Sequence, residues 1–235
     1  MVAVATLTAF TYTKRHDISR SLERAALPES VTRTAVVSPV ATIASLPAQV
    51  NLAVPFTPQA PRANWEDPYG EFCEEASVLM AVKYLRSETI VSPEEADAAM
   101  QAIKIFEEQR FGYYKDTNAA ETAVILRDYY QIEDIALIDN PTNTDIKQAV
   151  ASGKVVLVPA AGRQLGNPYY QQPGPLYHMF VVKGYTNSGQ FIVNDPGTRH
   201  GADFVYEEAV IMNAIHDWRD DRNIEAGKKV ILIVG

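Results

Sequence analysis

The sequence has a single cysteine, Cys73, among its 235 residues, and this scarcity excludes two kinds of structure. One thiol cannot form an internal disulfide, so the fold cannot depend on disulfide bonds within the chain. A zinc site built on cysteine pairs is excluded as well, and the four histidines lack the close spacing of a ligand pair. We therefore expect no metal site.

Basic residues are also scarce relative to acidic ones. The chain has 21 Lys and Arg against 29 Asp and Glu, which gives a formal net charge of −8. Proteins that bind nucleic acids neutralise phosphates with clusters of Lys and Arg, and such clusters are missing here. We therefore expect no nucleic-acid partner.

A long apolar run is the third missing feature. The N-terminal stretch MVAVATLTAFTYTKRH is apolar for about a dozen residues and ends at Lys14 and Arg15, whereas a bilayer span needs about 20 residues. A signal peptide would carry its basic residues before its apolar core rather than after it. The run is therefore either the remnant of a membrane anchor or an ordinary N-terminal strand. Any membrane association would depend on it.

The chain does have enough apolar residues for one full core. A length of 235 residues with 47% hydrophobic content suits one domain of about 150–200 residues and a tail. Residues 17–48 mix Ser, Thr, Ala and Pro without periodicity, as a linker or a surface tail does. We predict a tail over residues 1–49 and one domain over residues 50–235. The tail and the single cysteine favour a location at the cell envelope or outside the cell. A cytoplasmic location stays open as the alternative.

Hydrophobic periodicity predicts helices in the first half of the domain and strands in the second. Apolar residues at helical spacing follow Cys73, and capping signals at Ser92 and Asn118 begin two more helices. The further elements that we expect are a short strand at 135–138, a helix at 144–153, strands at 154–159, 178–185 and 190–196, a helix at 205–221 and a closing strand at 228–235. This order predicts an α+β fold in which an N-terminal helical half packs on an antiparallel sheet.

Cys73 stands where a stretch rich in Pro and Gly turns into the first helix. A thiol at a helix N-terminus meets unpaired N–H groups and the positive end of the helix dipole, which favour the thiolate. Cys73 is therefore a candidate nucleophile. A lone cysteine is more often a small buried hydrophobe, but a position just after a polar turn does not suit that alternative. We assign no chemistry to Glu74 and Glu75, which complement the dipole.

The second half of the chemistry lies on the predicted hairpin. A loop of roughly eighteen residues at 160–177, long enough to be functional, leads to His178, and the partner strand ends at Asn194 and Asp195. Antiparallel pairing should place these residues side by side, so that His178 could take a proton from Cys73 while an acid or amide orients it. Only one of Asn194 and Asp195 can face His178, because neighbours on a strand point to opposite faces. Taken singly, His178 could be a histidine at a sheet edge and Asp195 a turn-forming aspartate.

Four stretches carry a resemblance to a known family: VPFTPQAP with WEDPYGEFCEEAS, GRQLGNPYYQQPGPLYHMFVVKGY, FIVNDPGTRHG and NAIHDW. Over about residues 50–220 the chain resembles the bacteriocin (double-glycine) leader peptidase-like proteins of the papain-like cysteine peptidase superfamily. The resemblance implies a papain-like fold with its site between the helices and the sheet. It implies Cys73 as the nucleophile, His178 as the general base, Asp195 as the orienting residue and Gln59 as the oxyanion-hole donor.

These observations predict a cysteine peptidase that cleaves a peptide or protein substrate through an acyl-enzyme, without a metal or an organic cofactor. Two alternatives stay open. An acyl transferase would differ only in the acceptor that replaces water. A papain-like binding module without turnover is the alternative from another class, although competent residues fill all four chemical positions.

Overall fold

The computed structural model describes residues 24–33 and 46–235. The predicted anchor and parts of the predicted linker fall on residues 1–23 and 34–45, which lie outside the described residues. Within the described part, no helix combines the length and the apolar character that a membrane span requires.

One seven-stranded antiparallel sheet forms the frame of the domain. Its strand order is β2-β7-β3-β4-β5-β6, and β1 pairs with β4 off this path. The strands are β1 Val50–Asn51, β2 Ile135–Asp139, β3 Val155–Ala161, β4 Tyr177–Tyr185, β5 Gln190–Asn194, β6 Phe204–Glu207 and β7 Val230–Val234. Every residue of β3 and β4 is buried, because elements cover both faces of the sheet centre. These two strands therefore form the rigid base of the site.

Within residues 46–235, five α-helices accompany the sheet. They are α1 Cys73–Leu85, α2 Pro93–Arg110, α3 Ala119–Val124, α4 Asn143–Ala151 and α5 Glu208–Ala214. The predicted caps are confirmed, since the Ser92 side chain accepts from the backbone N–H of Glu95 and Asn118 forms a capping box with Glu121. The α3 helix continues as a π-helical turn over Ile125–Tyr129. The predicted α+β arrangement of helices packed on an antiparallel sheet is confirmed.

The first helix is buried on nearly all sides. Every residue of α1 except Lys83 is buried, because the helix lies between the sheet and α2. The Ser77 hydroxyl donates to the Met179 carbonyl oxygen of β4 at 3.1 Å. This bond fixes the first turn of α1, which begins with Cys73, beside the start of β4.

Two predictions near the C-terminus are wrong. The expected helix at 205–221 is reduced to α5, because residues 204–207 pair with β5 as a strand and Ile215 forms an antiparallel bridge with Ala160. The last strand does not close the sheet but lies between β2 and β3. It is internal because β2, which comes from the helical half, adds outside it.

Part of the predicted tail lies on the domain. Backbone bonds join the Val31 N–H to the Asn51 oxygen and the Ala53 N–H to the Val31 oxygen, both at 2.8 Å. Arg33 donates to the Leu85 carbonyl oxygen at 2.6 Å. Residues 24–33 therefore contact the domain at β1 and α1, while the domain boundary at residue 50 stays a prediction.

Candidate active site

Cys73 is the first residue of α1 and follows a short 3-10 turn, Tyr69–Glu71. The Gln59 side-chain amide holds this turn, because its Nε2 donates to the carbonyl oxygens of Tyr69 at 2.9 Å and Gly70 at 2.8 Å. The backbone N–H of Gln59 donates to the Pro196 oxygen at 3.0 Å. Gln59 thus ties the turn before Cys73 to the turn after Asp195.

Both hydrogens of the Gln59 amide are taken by these two carbonyl groups. Neither hydrogen is directed at the Cys73 thiol in this structure. The role of Gln59 as an oxyanion-hole donor therefore stays a prediction, and it requires Gln59 to exchange one of these bonds.

His178 and Asp195 meet at the sheet, although not through the predicted register. Asn194 lies opposite Val181, so Asp195 is not the cross-strand partner of His178. The Asp195 carboxylate instead reaches back along the sheet, and its Oδ1 lies 2.8 Å from His178 Nε2. Both side chains are at most 2% exposed, and the contact is therefore shielded from water.

Asn194 points away from this pair. Its Nδ2 donates to the backbone oxygens of Val54 at 3.1 Å and Pro55 at 3.2 Å, and its Oδ1 accepts from the Asp203 N–H. Asn194 thus joins three backbone segments. Of the two candidates that the sequence left open, the structure places Asp195 against His178.

The Asp195 carboxylate accepts five hydrogen bonds. Oδ1 accepts from His178 Nε2 and from the Gly197 N–H at 3.0 Å, and Oδ2 accepts from Tyr170 at 2.7 Å, Tyr206 at 2.7 Å and Asn167 at 3.0 Å. Burial alone would raise the pKa of Asp195. The charge of His178 and the bonds to His178 and the tyrosines outweigh burial and hold that pKa below its usual value. Asp195 is therefore an ionised, fully buried acceptor.

Gly197 lies against the edge of the His178 ring. A Cβ atom at this position would lie 2.8 Å from His178 Cε1 and 2.9 Å from a ring carbon of Tyr170. Only a residue without a side chain leaves room for the imidazole at this distance. The Pro196-Gly197 turn after the acid is therefore part of the wall of the site.

The Cys73 thiol is not paired with His178 in this structure. Its Sγ donates to Glu74 Oε2 at 3.0 Å, and the hydrogen bonds of the described residues include none between Cys73 and His178. Burial raises the pKa of the thiol well above its usual value, and the charges of Glu74, Asp116 and Glu75 act in the same direction. The prediction that the helix N-terminus favours the thiolate is wrong for this conformation, because burial and neighbouring carboxyls outweigh the dipole.

Three carboxyl groups lie fully buried behind the thiol: Glu74, Glu75 and Glu107. Burial raises the pKa of each, and that of Glu107 rises to about 8. Burial is the largest cause for each, and none of the carboxyl oxygens of Glu75 and Glu107 has a hydrogen-bond partner among the described residues. Glu74 and Glu75 lie in the first turn of α1, as expected, but both are fully buried, because α1 is packed on both sides.

The sequence analysis did not identify the three side chains that donate to Asp195, which are Asn167, Tyr170 and Tyr206. It also did not identify the buried carboxyl of Glu107. The signal for Asn167 and Tyr170 was the long loop before His178, whereas Tyr206 was assigned to a helix and Glu107 had no signal. Within residues 24–33 and 46–235, no group of three His, Cys, Asp or Glu residues is arranged to hold a metal ion.

Comparisons with known proteins identify the family and the fold. Residues 51–224 match the family described as the Peptidase_C39-like family. A solved structure of a proposed C39-like peptidase from Bacillus anthracis superposes with a TM-score of 0.51 at 13% identity, over 80% of this chain and 98% of that chain. No curated protein matches significantly. The mixed helices and antiparallel sheet thus form a papain-like α+β fold, as predicted.

Proposed function

This chain belongs to the Peptidase_C39-like family, and from that membership and the geometry of the site we propose that it is a cysteine peptidase that uses Cys73 as its nucleophile. Membership of the family alone suggests cysteine peptidase activity. The observation that carries the assignment of residues is the buried His178–Asp195 contact at 2.8 Å, formed at the start of the strand against which the first turn of α1 is fixed.

His178 supplies the base. An ionised Asp195 only accepts hydrogen bonds, so His178 Nε2 carries the hydrogen of the shared bond and Nδ1 holds the lone pair. This tautomer is the one that can remove a proton from a thiol on the other side of the ring.

The thiol must leave Glu74 before it can react. A rotation of the Cys73 side chain away from Glu74 Oε2 would bring Sγ toward Nδ1, and the proton then passes from sulfur to nitrogen. The thiolate attacks the peptide carbonyl carbon, and the carbonyl π electrons move to oxygen. Collapse of this intermediate expels the amine, which takes the proton from Nδ1. Water, deprotonated by Nδ1, then hydrolyses the thioester.

The oxyanion is stabilised by hydrogen-bond donors at the start of α1. The Cys73 N–H belongs to the first helical turn, whose N–H groups have no partner within the helix. Gln59 becomes the second donor if one amide hydrogen leaves the Tyr69 or Gly70 oxygen. Replacement of Gln59 by Ala should then lower kcat by about 10²–10³-fold with little change in KM, whereas a purely structural role would lower thermal stability without this selective loss.

The test is cleavage of a quenched fluorescent peptide library by the native chain and by two variants. Cys73→Ala should abolish cleavage, and His178→Ala should reduce it by about 10²–10⁴-fold, the usual contribution of a general base. His216→Ala is the matched control, because His216 is also largely buried but bonds the Gly227 oxygen and not Asp195. Added amines that give transferred products would identify the acyl transferase instead of the hydrolase.

A binding module without turnover is the second candidate, and the bond between the Cys73 thiol and Glu74 favours it. The rate of iodoacetamide alkylation against pH separates the two. A peptidase should show alkylation well below the free-thiol pKa of about 8.5, and this limb should disappear in His178→Ala. Alkylation only above that pH, together with no cleavage of any library peptide, would refute the peptidase assignment and leave the binding module.

A further inference from the structure

The Asp195 carboxylate accepts more hydrogen bonds than it needs to orient His178. Oδ1 is shared by His178 and the Gly197 N–H, and three further donors converge on Oδ2. A single bond to His178 would satisfy the basic requirement of orienting the ring. The extra donors fix the plane of the carboxylate, because bonds on both oxygens prevent its rotation about χ2.

The donors come from separate parts of the chain. Asn167 and Tyr170 lie on the loop before β4, and Tyr206 lies on β6. They also contact one another, since Asn167 Nδ2 donates to the Tyr206 hydroxyl oxygen at 2.8 Å. The loop before β4 is thus bonded directly to the Asp195 carboxylate. Tyr206 connects both of them to β6 at the edge of the sheet.

Both tyrosines are permanent donors. Burial raises the pKa of Tyr170 and of Tyr206 well above the usual value, and the charge of Asp195 acts in the same direction. Each hydroxyl therefore keeps its proton wherever the carboxylate is ionised. The Tyr170 ring also lies edge-on to the His178 ring, with centroids 5.4 Å apart, so the same residue contacts both members of the pair.

We infer that Asn167, Tyr170 and Tyr206 are positioning residues that keep Asp195 ionised and aligned, so that His178 holds its hydrogen on Nε2 and presents Nδ1 to the thiol. This role rests on the proposed function, in which His178 is the base. The titratable groups in contact with the carboxylate are His178 from β4, Tyr170 from the loop and Tyr206 from β6. None of the three residues touches the substrate in this proposal.

The test removes one hydroxyl at a time and follows His178 without any need for turnover. Tyr170→Phe, Tyr206→Phe and the double variant keep the ring packing and delete only the donors. The matched control is Tyr84→Phe, because Tyr84 is equally buried but donates to the neutral Gly153 carbonyl at 3.1 Å. NMR of ¹⁵N-histidine-labelled protein reports the ring nitrogens of His178 against pH, and His178→Ala assigns the signals.

Each lost bond to the charged carboxylate should raise its protonation midpoint by about one pH unit. In the native chain and in Tyr84→Phe, the ¹⁵N shifts of the neutral His178 ring should report one tautomer, with its hydrogen on Nε2. In the double variant the fraction of the neutral ring with its hydrogen on Nδ1 should rise, and the low-pH limb of Cys73 alkylation by iodoacetamide should shrink with it.

Superposable titrations of the native chain and the double variant, with a loss of thermal stability alone, would show that the tyrosines only pack and would overturn the inference. Because the NMR readout needs no substrate, a failure of the chain to cleave peptides would refute the proposed function while the titration still decides this one.

Discussion

Glu107 should make this protein less stable as the pH rises, and replacement by Gln should remove that dependence. The Glu107 carboxyl is fully buried, and burial raises its pKa from 4.5 to about 8. The unfolded chain releases this proton near pH 4.5, whereas the folded chain keeps it until about pH 8. Between these values the folded state binds more protons, so the free energy of unfolding falls with rising pH.

The size of the effect follows from the shift. Between pH 4.5 and pH 8, each pH unit lowers the free energy of unfolding by about 1.4 kcal/mol for this one proton. At pH 7 the loss amounts to about 3 kcal/mol. Gln has the shape of the protonated acid and has no proton to lose. Glu107→Gln should therefore match the native chain at pH 5 and exceed its stability by about 3–4 kcal/mol at pH 8.

Urea unfolding at pH 5, 6, 7 and 8 measures this difference. The control is Glu108→Gln on the next position of the same helix, where the carboxylate is partly exposed and pairs with Lys104. That variant should change stability by only about 0.5 kcal/mol at any of these pH values. If Glu107→Gln is less stable than the native chain at pH 8, or if the two share one pH dependence, Glu107 is ionised in the fold and the reasoning is refuted.

Three further predictions concern the site. Gly197→Ala should lower kcat by at least about tenfold, because its methyl group would displace the His178 ring; normal turnover on library peptides would contradict this contact. Glu74→Gln should lower the apparent pKa of the Cys73 thiol, since it removes a carboxyl that opposes ionisation, and iodoacetamide alkylation against pH checks the shift. Asp195 has a depressed pKa, so its stabilising contribution is present above about pH 4 and is lost as the pH falls through the folded-state value. The stability gap between the native chain and Asp195→Asn in urea should therefore narrow from pH 7 to pH 3, and a constant gap would contradict this.

Local signals predicted the helices of the first half and the strands of the hairpin correctly. The caps at Ser92 and Asn118 depend only on neighbours within four residues, and the buried strands β3 and β4 depend on runs of β-branched residues. The segment 204–207 escaped prediction because pairing with β5 decides its conformation, and its sequence fits a helix equally well.

The contact between His178 and Asp195 was predictable from the sequence, but the state of the Cys73 thiol was not. Cys73, His178 and Asp195 stand out from their positions at element ends. The state of the thiol depends on the burial of Glu74 and Glu75, which results from packing of α1 against both the sheet and α2. The helix dipole is a property of α1 alone, whereas the pKa of Cys73 also depends on burial and on the carboxyl groups packed around the thiol. The dipole therefore predicted the wrong direction for this pKa.

The connection that Gln59 makes between the turn before Cys73 and the turn after Asp195 has a consequence for biosynthesis. The cysteine leaves the ribosome about 100 residues before the histidine, and Pro196, whose oxygen accepts from the Gln59 N–H, follows later still. A nascent chain therefore carries the Cys73 thiol before His178 has been made, and the two turns can be joined only after residue 196 has been made. Until then neither His178 nor the connection through Gln59 is in place beside Cys73, so any activity that needs both begins only after that point.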